Sequence, residues 1–559
     1  MTDQVHITTE TPREGTRPTA RLPFIRLNRK LAPDWAVRFV LGLIVTGFLG
    51  LTEELPAQPN PLERGKALAT YYCSVCHLEP APAHLDKATW RTHVMPMVKK
   101  LSGMDALDPE GSPEERRALE EWRTIWEHYI LASAPTEALP QARPTPIQPN
   151  LGERFAIETP DFRPGRSYAT MVYIDPKEHQ LYVANAMDRT LNVLDPRGSL
   201  LSTQVTDSPV VDLAPRAMGW LATEIGSVIP DDRPLGRISF LTKTGNQFGE
   251  PSVVLPRLIR PINCVAADLD GDGREDLAVA AFGNILGHFA WYPNLGGGGF
   301  AEEVLFERPG AVRVVVHDWN HDGRPDIFVL MAQAREGLYL FTNAGDGRFE
   351  CRPLIERPPY WGYTYFDLKD FNGDGFPDVI ATNGDLGDFA SCTKNYHGVR
   401  IHLNDGHYNF PESFFYPING AFKVLAFDYD ADGDLDLATI SFFPDYLKSP
   451  DESFVYLENQ GGLQFVASTF PESWRGRWIV MDAGDLDGDG DVDIVLGAAY
   501  HFLNRGPEAV VSRWKREGPS LLILRNRLRQ AGARVSRDPP VILPAANLPR
   551  PFIRGTSEF

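Results

Sequence analysis

Cysteine is scarce: the 559-residue chain has five, Cys73, Cys76, Cys264, Cys351 and Cys392. Two of them share the short segment CSVCH (Cys73–His77) and the other three are widely spaced, which excludes a dense disulfide framework. Cys264 lies in the apolar run INCVAAD and reads as a buried thiol. With no second CxxC and no matching histidine pair, a Cys/His zinc site is excluded as well. Basic residues are outnumbered, 55 Lys and Arg against 74 Asp and Glu, for a net charge of −19. That balance excludes the basic footprint of a nucleic-acid binder. Long apolar runs are also missing. FVLGLIVTGFLGL (Phe39–Leu51) falls short of the roughly 20 residues of a spanning helix and is closer to a signal-type apolar stretch. Arg13, Arg17, Arg21, Arg26, Arg29 and Arg38 precede it and Glu53 and Glu54 follow, which fits export with the N-terminus inside. The long leading region and the lack of a small-x-small cleavage site favour an uncleaved anchor over residues 39–56, behind a cytosolic tail of residues 1–38. A buried core helix is the rival reading of the same run.

What the chain has in quantity is turn residues and clustered acid. Glycine (48) and proline (47) are frequent, as in all-β repeat folds. A nine-residue template occurs five times, with Asp at positions 1 and 9, Asp or Asn at 3 and 5, and Gly at 6. The copies are Asp268, Asp270, Asp272 and Asp276; Asp318, Asn320, Asp322 and Asp326; Asp370, Asn372, Asp374 and Asp378; Asp428, Asp430, Asp432 and Asp436; and Asp485, Asp487, Asp489 and Asp493. The opening D-x-D-x-D-G is that of an EF-hand, but position 12 is Val279, Val329, Ala381, Thr439 or Leu496, never the bidentate Glu that an EF-hand requires. Side chains at 1, 3, 5 and 9 with a backbone carbonyl at 7 make a hard oxygen cage suited to Ca²⁺, giving about five sites. Asn320 and Asn372 lower the ligand charge, so those two loops are expected to bind more weakly. The competing reading is a set of Asx-turn hairpins without metal.

The loops start 50 to 58 residues apart, a blade-like period. Each precedes an apolar strand, and further on a strand ends in Asn before a Gly turn, as in WYPNLGGGGF (Trp291–Phe300) and LFTNAGDGRF (Leu340–Phe349). Strand, Asp loop, strand, variable loop, strand, Asn-Gly turn and strand make one four-stranded blade. Val172–Ala186 and Val211–Gly226 keep the strand pair without the ligands, bringing the expected count to seven, with six or eight open; Phe155–Thr159 is placed to close the ring. This pattern resembles the FG-GAP/VCBS repeat of integrin-type propellers. The resemblance implies a mainly β fold, a seven-bladed β-propeller over residues 151–530 with a tail at 531–559, and says little about function.

CSVCH is the haem c attachment pattern. Two thiols three residues apart reach the two vinyl groups of one porphyrin, and His77 is then placed to ligate the iron. ERGKALATYY (Glu63–Tyr72) reads as a helix running into the motif, and EERRALEEWRTIWEHYILAS (Glu114–Ser133) as one with an aromatic stripe, Trp122, Trp126 and Tyr129. Residues 60–135 thereby resemble a small all-α class I cytochrome c domain, in which the first and last helices cross. A related group of propeller-linked cytochromes reads W-x-x-H-x-x-P-x-M. Here Trp90, His93 and Pro96 fit and Met97 falls one place early, which makes Met97 the first choice of distal ligand. Met104, Met95 and His93 follow. A Pro-rich linker covers residues 136–150.

The loops after the second blade strands are long and gather at one end of a propeller. They carry Asp385, Tyr396, His397, Asp445 and His501, a candidate ligand face, or solvated decoration. The composite expectation is an exported haem c electron-transfer protein of the periplasm or cell surface. Its Ca²⁺-stabilised propeller would dock a redox partner protein or an extracellular polar ligand such as a carbohydrate. No catalytic residue is assigned. The alternatives are a periplasmic oxidoreductase that oxidises a sugar or alcohol and reduces the haem, and a surface adhesion module.

Overall fold

The segments after the five aspartate loops are strands buried at every residue: Asp276–Ala281, Asp326–Met331, Asp378–Asn383, Asp436–Ser441 and Asp493–Ala498. Near-continuous Val, Ile, Leu and Ala sequence is what a strand covered on both faces requires. In the computed structural model, which describes residues 60–75, 77–386, 393–500 and 506–529, each forms the second strand of a four-stranded antiparallel sheet. The described residues divide into two compact units, residues 97–120, and residues 60–96 with 121–529.

The second unit holds a seven-bladed β-propeller. The first strands of the blades contact one another in order and form the innermost ring: Ala169–Asp175, Val210–Arg216, Pro261–Ala267, Ala311–His317, Tyr363–Lys369, Ala421–Phe427 and Trp478–Gly484. Blades 1 and 2 are the two ligand-free copies, and blades 3 to 7 carry the aspartate loops. Phe155–Glu158 pairs antiparallel with Leu521–Asn526 as the outer strand of blade 7, so the ring is closed by the start of the domain, as its sequence position suggested.

A β-bulge recurs one residue into every inner strand, between residues such as Ala311 and Arg313 or Ala421 and Lys423. Bulges re-aim the side chains that follow them. The residues after the bulge in blades 2 to 6 are Asp212, Asn263, Arg313, Tyr365 and Lys423. Two of these stitch blade to blade, Asp212 Oδ2 accepting from Asn263 Nδ2 at 2.8 Å and Asn263 Oδ1 from the Val314 amide at 2.8 Å; in blade 7, Asp482 Oδ2 accepts from the Ile174 amide at 2.8 Å.

The linker is a strap. Gln148 bridges in parallel to Ser468, its amide donates to the Ala467 carbonyl at 2.9 Å, and Tyr416 donates its hydroxyl proton to the Thr145 carbonyl at 2.8 Å. The helix Pro113–Arg123 opens on a capping box: the Ser112 amide donates to Glu115 Oε2 at 2.8 Å and the Glu115 amide to Ser112 Oγ at 3.2 Å. Among the described residues no helix is long and apolar enough to cross a membrane. The expected anchor (39–56), both tails (1–38 and 531–559), Cys76, Cys392 and His501 lie outside the described residues.

Candidate functional site

The CSVCH segment begins on the last residue of a helix. Asn60 caps that helix with its side chain, Pro61 fills the first turn, and Pro61–Cys73 follows. Gly65 marks where it meets the helical residues Thr124–Ile130. A Cβ there would lie 2.7 Å from the Thr124 carbonyl oxygen and 2.8 Å from Tyr129 Cβ, so only glycine permits this approach. Trp126 and Tyr129 are buried in the same region, and Trp126 packs on Trp122 and Trp90.

Past Cys73 the chain turns once, with the His77 amide donating to the Cys73 carbonyl at 3.2 Å. His77 Nδ1 lies 2.7 Å from the Leu78 carbonyl oxygen. Assigning the proton to that bond leaves the lone pair on Nε2, the tautomer a metal ligand requires. Burial lowers the His77 pKa, and the Arg335 guanidinium lowers it further, both favouring the neutral ring. The His77 ring is thus in the form an iron ligand requires; a haem attached here would be held by Cys73 and His77 and would supply one-electron chemistry. Of the methionines weighed for the distal position, Met104 is 2% exposed, Met97 is 43% exposed and Met95 is half-buried. His93 is exposed.

Because blade strands alternate in direction, the loops joining second to third strands share one end of the propeller with the blade-to-blade connections. The aspartate loops lie at the other end. The CSVCH side meets the first of these ends at blades 4 and 5. Arg335 Nη2 donates to the Ser74 carbonyl at 3.2 Å. The Ala81 amide donates to the Tyr360 hydroxyl at 2.8 Å, and His84 Nδ1 lies 3.1 Å from the same oxygen. Beneath them Trp361 and Tyr396 stack with centroids 4.6 Å apart, and His84 leans on both.

This packing changes the standing of the candidate ligand face. Tyr396 and His397 are buried and form part of the floor under the CSVCH side instead of facing solvent. Burial chiefly, with Lys394 and Arg400 nearby, holds His397 far below its ordinary pKa. Neither of its ring nitrogens has a well-formed hydrogen bond, only the Trp361 backbone being within weaker reach. Asp385 is exposed, and Asp445 is half-buried with its carboxylate capping the Leu447 and Lys448 amides. Nearby, Glu336 is buried and accepts from the Gly362 and Tyr363 amides at 2.8 and 2.9 Å, and burial pushes its pKa up to about 8.

At the opposite end, the five aspartate loops share one hydrogen-bond scheme. The position-1 carboxylate takes the amide of the position-6 glycine, as Asp268 does from Gly273 at 2.9 Å and Asp485 from Gly490 at 3.1 Å. The position-9 carboxylate does something composition did not indicate. One oxygen takes the amide two places into the loop and the other takes the amide of the Asn that ends the third strand. The pairs are Asp276–Asn294, Asp326–Asn343, Asp378–Asn404, Asp436–Asn459 and Asp493–Asn526, at 2.7 to 2.9 Å. Each Asn side chain returns a bond to the carbonyl before the Asp, such as Asn404 Nδ2 to Pro377 at 3.1 Å. Burial raises all five position-9 acids, Asp436 and Asp493 to about 7.

Three loops gather carboxylate oxygens within 4.8 Å of one another: Asp268, Asp270 and Asp276; Asp428, Asp430 and Asp432; and Asp485, Asp487 and Asp489. A hard divalent cation fits that donor chemistry. The two loops with Asn320 and Asn372 are not among these groupings. Arginines already occupy part of the acid. Arg274 pairs with Asp272 and Arg324 with Asp322, while Arg154 lies 3.0 Å from Asp430 and Arg525 3.6 Å from Asp487.

The fold is that of a seven-bladed propeller, and part of it carries FG-GAP-like repeats. Residues 268–329 and 318–381 match the FG-GAP-like repeat family. A comparison with curated proteins found no match. Similar solved structures include the N-terminal domain of Nup159, at 11% identity and TM-score 0.40, covering 69% of this chain and 98% of that one. The WD40 domain of Neurospora crassa Pan2 aligns at 8% identity and TM-score 0.41, covering 68% and 97%. Luciferin-regenerating enzyme aligns at 11% identity and TM-score 0.33, covering 51% and 88%. Likeness at this level carries no argument about function.

Proposed function

We propose that the chain is an exported haem c electron-transfer protein whose propeller is a scaffold for a redox partner or an extracellular polar ligand. The observation that carries the reading is His77, directly after Cys73-x-x-Cys76, with Nδ1 on the Leu78 carbonyl and Nε2 left as a ligand. The close crossing at Gly65 supports it as well. In this reading the aspartate loops are Ca²⁺-fitted clamps inside the blades, and the sites of action are the periplasm or cell surface. The oxidoreductase alternative has less support, because His397, one of the candidate ligand-face residues, is buried beneath Tyr396 and His84.

The test is a pyridine haemochrome spectrum of protein expressed with the c-type maturation machinery. A c-type spectrum in the wild type, lost in Cys73→Ser with Cys76→Ser, is the expected result. A wild type without covalent haem removes the reading.

A further inference from the structure

We propose that the propeller itself forms one side of the haem site: Tyr360 and Arg335, both propeller residues, hold the CSVCH segment in place, and the Arg335 charge raises the affinity of that site for an electron. The proposal rests on the haem reading above for its second half only.

The described residues between 60 and 96 belong to the same compact unit as the propeller. Two separate loops of the propeller reach the segment. From blade 4, Arg335 follows the buried strand Asp326–Met331 and donates to the Ser74 carbonyl, between Cys73 and Cys76. Its other terminal nitrogen lies 3.7 Å from Glu356, and its own carbonyl accepts from the Tyr339 hydroxyl at 3.1 Å, so the side chain is held from both ends. From the connection between blades 4 and 5 comes Tyr360, buried, whose hydroxyl serves the Ala81 amide and His84 while its ring meets the edge of Trp90 at 5.5 Å. The Tyr360 carbonyl is itself taken by Lys394 Nζ at 2.6 Å. Each contact on the helical side is matched by an anchor on the propeller side, which distinguishes a built dock from incidental touching.

The electrostatic half follows from proximity. Reduction adds a negative charge, and a guanidinium nearby favours the reduced form, more so where burial weakens screening. Arg335 holds its charge at the Ser74 carbonyl, within the CSVCH segment itself and three residues before His77. Tyr360 and Arg335 are positioning residues, since neither is argued to ligate iron.

Two measurements on the full chain test the halves separately. Hydrogen exchange on haem-free protein asks about the dock alone. Tyr360→Phe removes the acceptor of the Ala81 amide, and that amide is expected to exchange roughly two- to tenfold faster while propeller amides hold their rates. Unchanged exchange at Ala81 overturns the dock. Redox titration of haem-loaded protein asks about the charge. Arg335→Gln is expected to shift the midpoint potential downward, with Arg335→Lys restoring most of it; an Arg335→Gln potential equal to wild type overturns that half. Failure of the haem reading shows as a wild type with no covalent haem, which overturns the charge half and leaves the exchange result to decide the dock.

Discussion

Asp378 and Asn404 illustrate how much one pair of side chains holds in this repeat. The two carboxylate oxygens accept from the Phe371 and Asn404 amides at 2.8 and 2.7 Å, the first bond partly and the second fully buried. Each buried donor left without a partner costs about 1–3 kcal/mol. Asp378→Ala orphans two such donors, while Asn404→Ala removes the bonds to the Pro377 carbonyl and the Gly406 amide and leaves the Asp378 bonds in place. Urea unfolding is expected to rank them wild type, Asn404→Ala, Asp378→Ala, with equal slopes; a reversed order would mean the latch is not what the acid does. Glu336 gives a second, pH-dependent signature. Its pKa rises from 4.5 to about 8 on folding, so the folded state holds a proton that the unfolded chain has released. Stability from this group is therefore full below pH 4.5 and declines as pH rises through about 8. Asp436 and Asp493, raised to about 7, slope the same way, so the informative quantity is the difference between variant and wild type. Glu336→Gln is expected to lose less unfolding free energy than wild type between pH 5 and 8.5. Parallel profiles would place the proton elsewhere.

The aspartate loop is the element that most invites a metal, and its geometry supports two forces at once. Asx-type bonds from positions 1, 3 and 5 shape the turn without any ion, as Asp485, Asp487 and Asp489 show with Gly488, Asp489 and Asp491. The remaining oxygens crowd one another: burial together with neighbouring carboxylates holds Asp428, Asp430 and Asp489 above the ordinary range. A bound divalent cation offsets that crowding, and the arginines at Asp272, Asp430 and Asp487 do so in part. Calcium is expected to stabilise the propeller by about 2.7 kcal/mol per site at a hundredfold excess over Kd. Most of that should come from the loops that begin at Asp428 and Asp485, less from those with Asn320 and Asn372. Thermal unfolding with calcium and with chelator reads the effect, and Asp485→Asn with Asp487→Asn should remove part of it. A covalent haem spectrum should not respond. No calcium-dependent shift would leave the loops as Asx turns alone.

At the scale of the whole molecule, the repeat was readable because its signals are local. The aspartate template, the apolar strand after it and the Asn-Gly turn each fall within about ten residues, and together they gave blade order, strand order and the closing segment. What could not be read depends on partners far apart in sequence. Asp493 and Asn526 bracket a variable loop, so their pairing has no fixed spacing. The inner-ring charges Asp212, Arg313 and Lys423 are aimed by bulges that leave no residue signature. Tyr396 and His397 looked like loop decoration because nothing local announces that His84, about three hundred positions earlier, covers them. Ring closure makes one more consequence of distance testable. Phe155 is fully buried and sits edge-on to Tyr429 and Tyr456, joining the first strand of the domain to blades 6 and 7. Removing a buried Phe side chain costs about 3–5 kcal/mol. In an open array such a loss would stay near blade 7; in a closed ring each blade leans on two neighbours and the loss is shared. Phe155→Ala is therefore expected to lower the unfolding midpoint of the entire propeller in one cooperative transition, with faster amide exchange in blades on both sides of the closure. Faster exchange confined to blade 7, with the main transition unmoved, would mean the ring does not unfold as a unit.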